Sequence, residues 1–417
     1  MSEVKAYDQA AGTGKYDKAS GLSGKYDNVR RFWEDQLTGI FLRPVLNELV
    51  DYKRRHLERL RILDLGCGSG DGFDLLMSVT SKDPGLYDYI HEAITSDMLQ
   101  EYLGIDINDK LLEQARDCYG HLPKLRFEKT DLSDGLPFGR DEEEPFDIYL
   151  TSYGTMSHFR DEQAVNLIAD ICRHAPRRAV FVGDWLGRYS YEWQDLWHES
   201  PDSEFFMDYR ISYIYPPEER DRADIPIFPL RLITKSEIMA IIERAAEKSG
   251  ATIRPVTFFD RSMLVGRHLE TGDYNRNCPA LRLPINSLFE GYTRTDLERL
   301  LVDYVPRPGF DHLNTFFESF FMSCNTLVEH TIAMLAGQAN GGNTDTLVEP
   351  FYPEPLKEAI RTMRLVVDAA GQLHYGDPRA NMIEPHLGYS LRKLEMELQT
   401  GTGMGHGLIG IFSIEKE

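Results

Sequence analysis

The residues best suited to chemistry in this chain lie in the stretch Ile62–Gly72, which reads ILDLGCGSGDG. Its apolar start predicts a buried parallel strand, and the residues from Asp71 onward predict the helix that follows it. The alternating glycines Gly66, Gly68 and Gly70 allow backbone conformations that a Cβ would forbid, so a ligand can lie directly against the main chain. The next helix would then offer its free amides and its positive dipole end to an anionic group.

The spacing of these glycines is not that of the dinucleotide motif G-x-G-x-x-G, because Asp71 and Phe73 stand where the third glycine would be required. The stretch Asp64–Gly70 instead resembles the first motif of the class I S-adenosylmethionine-dependent methyltransferases, in which an acidic residue and a spacer precede three alternating glycines. The resemblance covers about residues 60–270. It implies a Rossmann-like α/β fold with a doubly wound, mostly parallel seven-stranded sheet.

The same resemblance implies a binding site for the cofactor S-adenosyl-L-methionine beyond the first three strands. Asp64 would bind the ammonium of the methionine part, and Asp106, which ends the second strand, would accept hydrogen bonds from both ribose hydroxyls. Asp131 and Leu132, after the third strand, would meet the adenine. A capping or surface carboxylate is the alternative for Asp106, and a turn carboxylate for Asp131. The predicted cofactor-binding residues are Asp64, Gly66, Cys67, Gly68, Gly70, Asp106, Ile107, Asp131, Leu132, Ser152, Tyr26 and Trp33.

Three residues beyond the fourth and fifth strands are the predicted catalytic residues. The fourth strand runs into Tyr153 and His158, where ligands of open α/β sheets bind. His158 could act as a general base, and packing or helix capping is its alternative role. Glu192, in an aromatic stretch after the fifth strand, would offer a carboxylate to a cationic acceptor; the aromatic residues around it could equally pack the insertion. We expect no metal site, because no pair of the five cysteines has metal-ligand spacing.

The chain is long enough for two domains. Residues 1–59 are expected to form an N-terminal arm and a cap helix, with the polar residues 1–25 flexible without ligand and able to close over the cofactor. Residues 60–270 would form the methyltransferase domain, and residues 187–230 its insertion on the substrate side, after the fifth strand. Residues 271–417 would form a mainly helical subdomain.

Three local patterns complete the predicted architecture. Residues 252–258 and 263–267 read as two strands that would form the antiparallel edge of the sheet. The wide apolar stripe of residues 310–335 predicts a long helix buried in its own subdomain or in a subunit interface, so a homodimer is one alternative. The glycine run 401–407 is interpreted as a turn before a final strand rather than as a phosphate cradle.

Charge and hydropathy exclude several classes of partner. The formal net charge of -21 disfavours nucleic acid, whose binding proteins usually carry a basic face. No run of about 18 apolar residues predicts a membrane span. Scattered cysteines and a polar N-terminus without an apolar signal core indicate a cytoplasmic protein.

We therefore expect an enzyme that methylates a small-molecule acceptor on nitrogen, oxygen or carbon, as in natural-product tailoring. A methyltransferase acting on a peptide or protein side chain is the first alternative, with residues 271–417 docking the polypeptide. A non-catalytic interaction protein that binds S-adenosylmethionine is the second.

Overall fold

The computed structural model describes residues 3–16, 24–83, 89–198, 204–215, 217–220, 225–337, 349–373 and 376–416. The nine strands of this described part belong to one sheet. They are β1 Leu60–Leu65, β2 Leu99–Asp106, β3 Leu125–Lys129, β4 Ile148–Leu150, β5 Arg178–Gly187, β6 Phe205–Arg210, β7 Ile227–Ile233, β8 Thr252–Arg261 and β9 Gly407–Glu415.

The main body of the sheet runs in the order β3-β2-β1-β4-β5-β9-β8, with β9 antiparallel to both of its neighbours. The pairings among β1 to β5 are parallel. The predicted α/β fold with a mostly parallel sheet is therefore confirmed. Two further strands come from the insertion after β5. There β6 and β7 pair as an antiparallel hairpin, and β7 joins the far end of β5 at Leu186 and Gly187.

The predicted partner of β8 is wrong. Residues 263–267 lie in turns, and the antiparallel neighbour is β9, which pairs Ile414 with Ile253 and Gly407 with Arg261. The chain leaves the sheet at Ser262, whose φ of 61° is incompatible with an extended strand. The final strand, predicted around residues 408–414, thus completes the central sheet from about 150 residues farther along the chain than β8.

Helices cover both faces of the sheet. The helices are α1 Glu3–Gly12, α2 Asp35–Arg55, α3 Asp71–Met77, α4 Asp109–Tyr119, α5 Asp161–His174, α6 Pro217–Arg220, α7 Lys235–Ser249, α8 Arg282–Leu288, α9 Asp311–Leu335, α10 Glu354–Ala370 and α11 Glu384–Leu398. Neighbouring residues of a strand pack into cores on opposite faces of the sheet. Leu63 packs with α5 and α7, whereas Ile62 packs with α2 and α4. This alternation places the sheet between two helical layers.

The helices after β8 form a third apolar core with the insertion. The long helix predicted over residues 310–335 is confirmed as α9, whose buried Phe317 and Phe321 pack against Tyr191 of the insertion. A buried ion pair joins this part to the N-terminal segment, since Arg282 donates to Asp27 at 2.6 and 2.8 Å. Residues 339–343, whose glycines and asparagines predict a loop, lie outside the described residues.

The described start of the N-terminal arm is helical. Its first part forms α1, which buries Ala6 and Ala10 and stacks Tyr7 against Phe228 of β7 at 5.6 Å between ring centroids. Helix formation there follows from alanines spaced four residues apart, which give the short helix one small apolar face to bury. Within the described residues, none of the helices combines the length and the apolar character needed to cross a membrane.

Candidate functional site

A cavity of about 270 Å³ lies beyond the carboxyl ends of the parallel strands, the position at which open α/β sheets bind ligands. One side is lined by the glycine loop after β1 and by the residues that follow β2, β3 and β4. The other side is lined by α1, by β7, by residues that follow β6 and β8, and by the segment before β9. Chain segments far apart in sequence therefore meet around one space.

The glycine loop and the end of β2 are held together at this cavity. The Gly68 amide donates to Asp106 Oδ2 at 2.8 Å, and the Asn108 amide donates to Oδ1 at 2.8 Å. Burial raises the pKa of Asp106 above its ordinary value. Each carboxylate oxygen can accept a second hydrogen bond, so Asp106 remains able to bind ligand hydroxyls. Asn108 directly precedes the helical pattern that begins at Asp109, which predicts a helix cap, and its side chain caps α4 by accepting from the Leu111 amide.

The structure brings together ten of the fifteen predicted site residues. The cavity is lined by Gly66, Cys67, Gly68, Asp106, Ile107, Asp131, Leu132, Ser152, Tyr153 and His158. The remaining five do not line it: Asp64, Gly70, Tyr26, Trp33 and Glu192. Gly70 has a structural role, because a Cβ there would meet the Tyr119 ring at 2.7 Å.

Asp64 lies beneath the glycine loop. It is fully buried, Tyr102 donates a hydrogen bond to its Oδ2, and its Oδ1 has no hydrogen-bond partner among the described residues. Burial raises the pKa of Asp64 to about 7. The carboxyl group that the sequence assigned to the ligand's ammonium therefore packs under α3 and does not reach the cavity.

Asp71, the residue after the glycine loop, is a second buried carboxylate next to that loop. It lines the cavity and pairs with Lys25, and with Arg30 at 3.3 Å. Burial alone would raise the pKa of Asp71, but the charges of Lys25 and Arg30 lower it well below its ordinary value. Tyr26, predicted to bind cofactor, donates to Asp71 from behind the loop. Trp33 is fully buried in the core that joins the N-terminal segment to the insertion.

Tyr153 is held on all sides. Its hydroxyl donates to Asp35 at 2.8 Å, and its amide donates to Asp184 at 2.7 Å. The Arg30 guanidinium lies 3.3 Å from the ring centroid. Burial raises the pKa of Tyr153 well above its ordinary value. A protonated phenol that donates to a carboxylate and whose ring stacks with a guanidinium suits a packing role better than proton abstraction.

His158 lies between aromatic residues. Its Nε2 is 3.3 Å from the Tyr7 hydroxyl of α1, and its ring stacks on Phe228 at 6.0 Å between centroids. The contact ties the N-terminal helix to the residues after β4. His158 is thus placed at the cavity, as predicted, but in contact with the cover formed by α1.

Glu192 is buried behind the cavity, and its carboxylate is occupied by other residues. It accepts from the His268 amide and lies 2.9 Å from His406 Nδ1. Burial alone would raise the pKa of Glu192, but His406 and His268 lower it below its ordinary value. A Cβ at Gly266 would lie 1.5 Å from Glu192 Oε1, so the close approach of this carboxylate requires a glycine there.

Several cavity residues were not found by sequence reasoning. They are the α1 residue Tyr7, the cations Lys25, Arg30, Arg261 and Arg267, the carboxylates Glu34 and Asp71, and His406. The signal available for Asp71 was its position directly after the glycine loop. For His406 it was the preceding glycine run, which forms the predicted turn by donating the amides of Gly403 and Gly405 to Asp260 at 2.9 and 3.1 Å.

Strand order, glycine loop and the position of the cavity together define a Rossmann-like α/β fold, the fold that the resemblance to the class I S-adenosylmethionine-dependent methyltransferases implies. No family model and no curated protein matches the chain. Among solved structures, it is similar to an S-adenosylmethionine-dependent methyltransferase from Clostridium acetobutylicum at 14% identity, covering 61% of this chain and 90% of that one, with a TM-score of 0.35.

Two further solved structures show the same level of similarity. One is a chain from the complex that contains the Haloferax volcanii Trm112 methyltransferase activator, at 16% identity, with 49% of this chain covered and a TM-score of 0.30. The alignment spans 65% of the length of that chain. The other is the glycopeptide N-methyltransferase MtfA, at 13% identity over 52% of this chain and 82% of that one, with a TM-score of 0.30.

Proposed function

We propose that this chain is an S-adenosylmethionine-dependent methyltransferase that acts on a small-molecule acceptor. The observation that carries the proposal is the joint placement of Gly68 and Asp106, which puts an open stretch of backbone next to a carboxylate in one cavity. When bound, S-adenosylmethionine supplies a methyl group that its positively charged sulfur has activated. The protein then needs to bind, align and exclude water, which requires no protein nucleophile.

The residues on the β1 to β3 side fit this cofactor. A Cβ at Gly68 would have only an ordinary contact with Leu111 at 3.8 Å, so the missing side chain leaves room at the cavity wall. Asp106 offers two acceptor oxygens for adjacent ribose hydroxyls. Asp131 and Leu132 offer an acceptor and an apolar wall for the adenine. Asp71, with its low pKa, remains ionised next to the loop, where it pairs with Lys25 and Arg30.

The other side of the cavity suits the acceptor. It is lined by Tyr16, Tyr209 and Tyr213, and by the guanidinium groups of Arg261 and Arg267. Such a wall favours a flat molecule that carries hydrogen-bonding groups. Because α1 packs over this side, a small acceptor fits better than a folded protein substrate.

Methyl transfer can be tested directly with methyl-labelled S-adenosylmethionine. The purified protein is incubated with the label and, in separate reactions, with small phenols and amines, with short peptides and with no acceptor. Label in a small molecule supports the proposal, and label in peptides alone would favour a peptide methyltransferase. Binding of S-adenosylmethionine without transfer to any acceptor would favour a non-catalytic binding protein.

A further inference from the structure

Glu192 and His406 form a hydrogen-bonded pair that is separate from the residues proposed to bind the cofactor. His406 lines the cavity and its side chain keeps 12% of its surface exposed, whereas that of Glu192 keeps 1%. The two meet at 2.9 Å between Glu192 Oε1 and His406 Nδ1. Since Nδ1 is engaged by the carboxylate, Nε2 is the ring nitrogen left to meet a molecule in the cavity.

The backbone holds His406 rigidly at the carboxyl end of β5. Its carbonyl accepts from the Gly187 amide at 3.2 Å, and its amide donates to the Ser262 carbonyl at 3.3 Å. The next residue, Gly407, already pairs with Leu186 in the sheet. The imidazole therefore projects from the point where β5, β8 and β9 meet, on the acceptor side of the cavity.

Resting on the proposed function, we propose that His406 is the catalytic base for an acceptor whose attacking atom carries a proton, and that Glu192 is its positioning residue. The acceptor is then an alcohol, a phenol or an amine rather than a carboxylate or a thioether. His406 Nε2 takes the proton from the acceptor O–H or N–H. The electron pair freed on that atom forms the bond to the methyl carbon, and the electrons of the carbon–sulfur bond stay on sulfur.

The surroundings of His406 support this assignment. Glu192 fixes the proton on Nδ1 and stabilises the imidazolium that forms on Nε2, as a buried carboxylate does for a catalytic histidine. The charged or titratable groups near the pair include His268, whose pKa burial lowers to about 3, Cys278, whose pKa burial and the charge of Glu192 raise, and the cavity residues Arg261 and Arg267. His268 therefore stays neutral and does not compete for Glu192 as a cation. The Trp193 ring packs beside the His406 ring, with 5.4 Å between the ring centroids, and gives it an apolar contact.

The tautomer of His406 can be read by long-range proton–nitrogen NMR on the full chain saturated with S-adenosylhomocysteine, with assignment through His406→Gln. In the neutral ring we expect the proton on Nδ1 and a bare Nε2. Glu192→Gln should give a mixture of tautomers, while the exposed His312, in α9, keeps its signals unchanged. A proton on Nε2 in the wild-type protein, or a tautomer unaffected by Glu192→Gln, would overturn the proposal.

Kinetics with labelled S-adenosylmethionine and the probe acceptors catechol and tyramine give the second readout. His406→Gln should slow transfer about 100-fold or more, the usual contribution of a general base, with S-adenosylhomocysteine affinity unchanged. His312→Gln should behave as the wild type. Transfer by His406→Gln at the wild-type rate would refute the role of His406 alone. Failure of the wild-type protein to bind S-adenosylhomocysteine would instead refute the proposed function, so the two failures are distinct.

Discussion

Asp106 Oδ2 accepts the Gly68 amide at 2.8 Å, so the carboxylate that ends β2 is also a structural part of the glycine loop. While it makes this hydrogen bond, the carboxylate also lines the cavity. Any substitution of Asp106 therefore acts on the loop and on the ligand together, and its test must separate the two effects.

Asp106→Asn should weaken binding of S-adenosylhomocysteine by about 1–3 kcal/mol, because it removes a charged acceptor while keeping the shape of the side chain. Calorimetric titration of the folded variant measures this. Asp134→Asn, at an exposed position that does not line the cavity, is the matched control and should bind as the wild type does. Equal affinity in both variants would mean that Asp106 serves the loop alone.

Gly68→Ala should reduce both stability and affinity. Gly68 has a φ of 51°, and alanine in this left-handed region costs roughly 1–2 kcal/mol. The matched control is Gly250→Ala, where φ is 71° and a Cβ would meet nothing within 4 Å. Both variants should melt at lower temperature, and Gly68→Ala alone should lose affinity in titrations with S-adenosylhomocysteine. A parallel loss in the two variants would show that strain, rather than ligand space, explains the effect.

The N-terminal helix should respond to ligand. Because Tyr7 of α1 lines the cavity and touches His158, a ligand that fills the space adds contacts to this helix. Amide hydrogen exchange in α1 should therefore slow when S-adenosylhomocysteine is added, as measured by mass spectrometry. The helix α10, which has no residue lining the cavity, should not change. Equal exchange in α1 with and without the ligand would contradict its role as a cover.

Asp64 should make stability fall as pH rises. Its pKa is about 7 in the folded protein and about 4 in an unfolded chain, so between these values the folded state binds more protons. The free energy of unfolding should then drop by about 2 kcal/mol between pH 5 and 8 relative to Asp64→Asn, which cannot titrate. Urea unfolding of both proteins at the two pH values checks this. If the free energy of unfolding changed with pH equally in both proteins, Asp64 would be ionised over the whole range from pH 5 to 8.

Arg282 should be essential for folding stability. It is buried with Asp27 and Glu34, so Arg282→Met removes an ion-pair partner that two buried carboxylates share, of which Glu34 keeps Arg267. Such a loss costs about 3–5 kcal/mol. Arg294→Met, which breaks an exposed pair with Asp377, should change the unfolding midpoint little. Similar midpoints for Arg282→Met and the wild-type protein would contradict the assigned role of this pair.

Sequence reasoning found the elements whose signals are local. The glycine loop, the Asn108 cap and the helix 310–335 follow from spacing within a few turns of chain. The antiparallel neighbour of β8 was wrong because strand partners are set by burial of a whole face, and β9 lies far along the chain. A local pattern at residues 263–267 cannot reveal that a distant strand fills the place.

The residues of the candidate site differ in the same respect, because some have a local sequence signal and others do not. Residues that follow a strand directly, such as Asp106, line the cavity as predicted. Asp64 was assigned to the ligand from its place in the glycine motif, and Glu192 from its place after the fifth strand. Asp64 nevertheless packs under α3, and Glu192 meets His406, more than 200 residues away. Three cavity residues belong to segments that reach the cavity only when the whole sheet has formed: Arg261, Arg267 and His406. Nothing near Arg261 or Arg267 in sequence marks that meeting, and for His406 the preceding glycine run is the local signal.

The most direct test of the central claim is a crystal structure of the full chain with S-adenosylhomocysteine. We expect the product in the cavity, with both ribose hydroxyls on Asp106, the adenine beside Leu132 and the main chain of Gly68 against the ligand. Its sulfur should face the side lined by His406. A ligand bound elsewhere, or density for the adenosine that leaves Asp106 without a contact, would contradict the account.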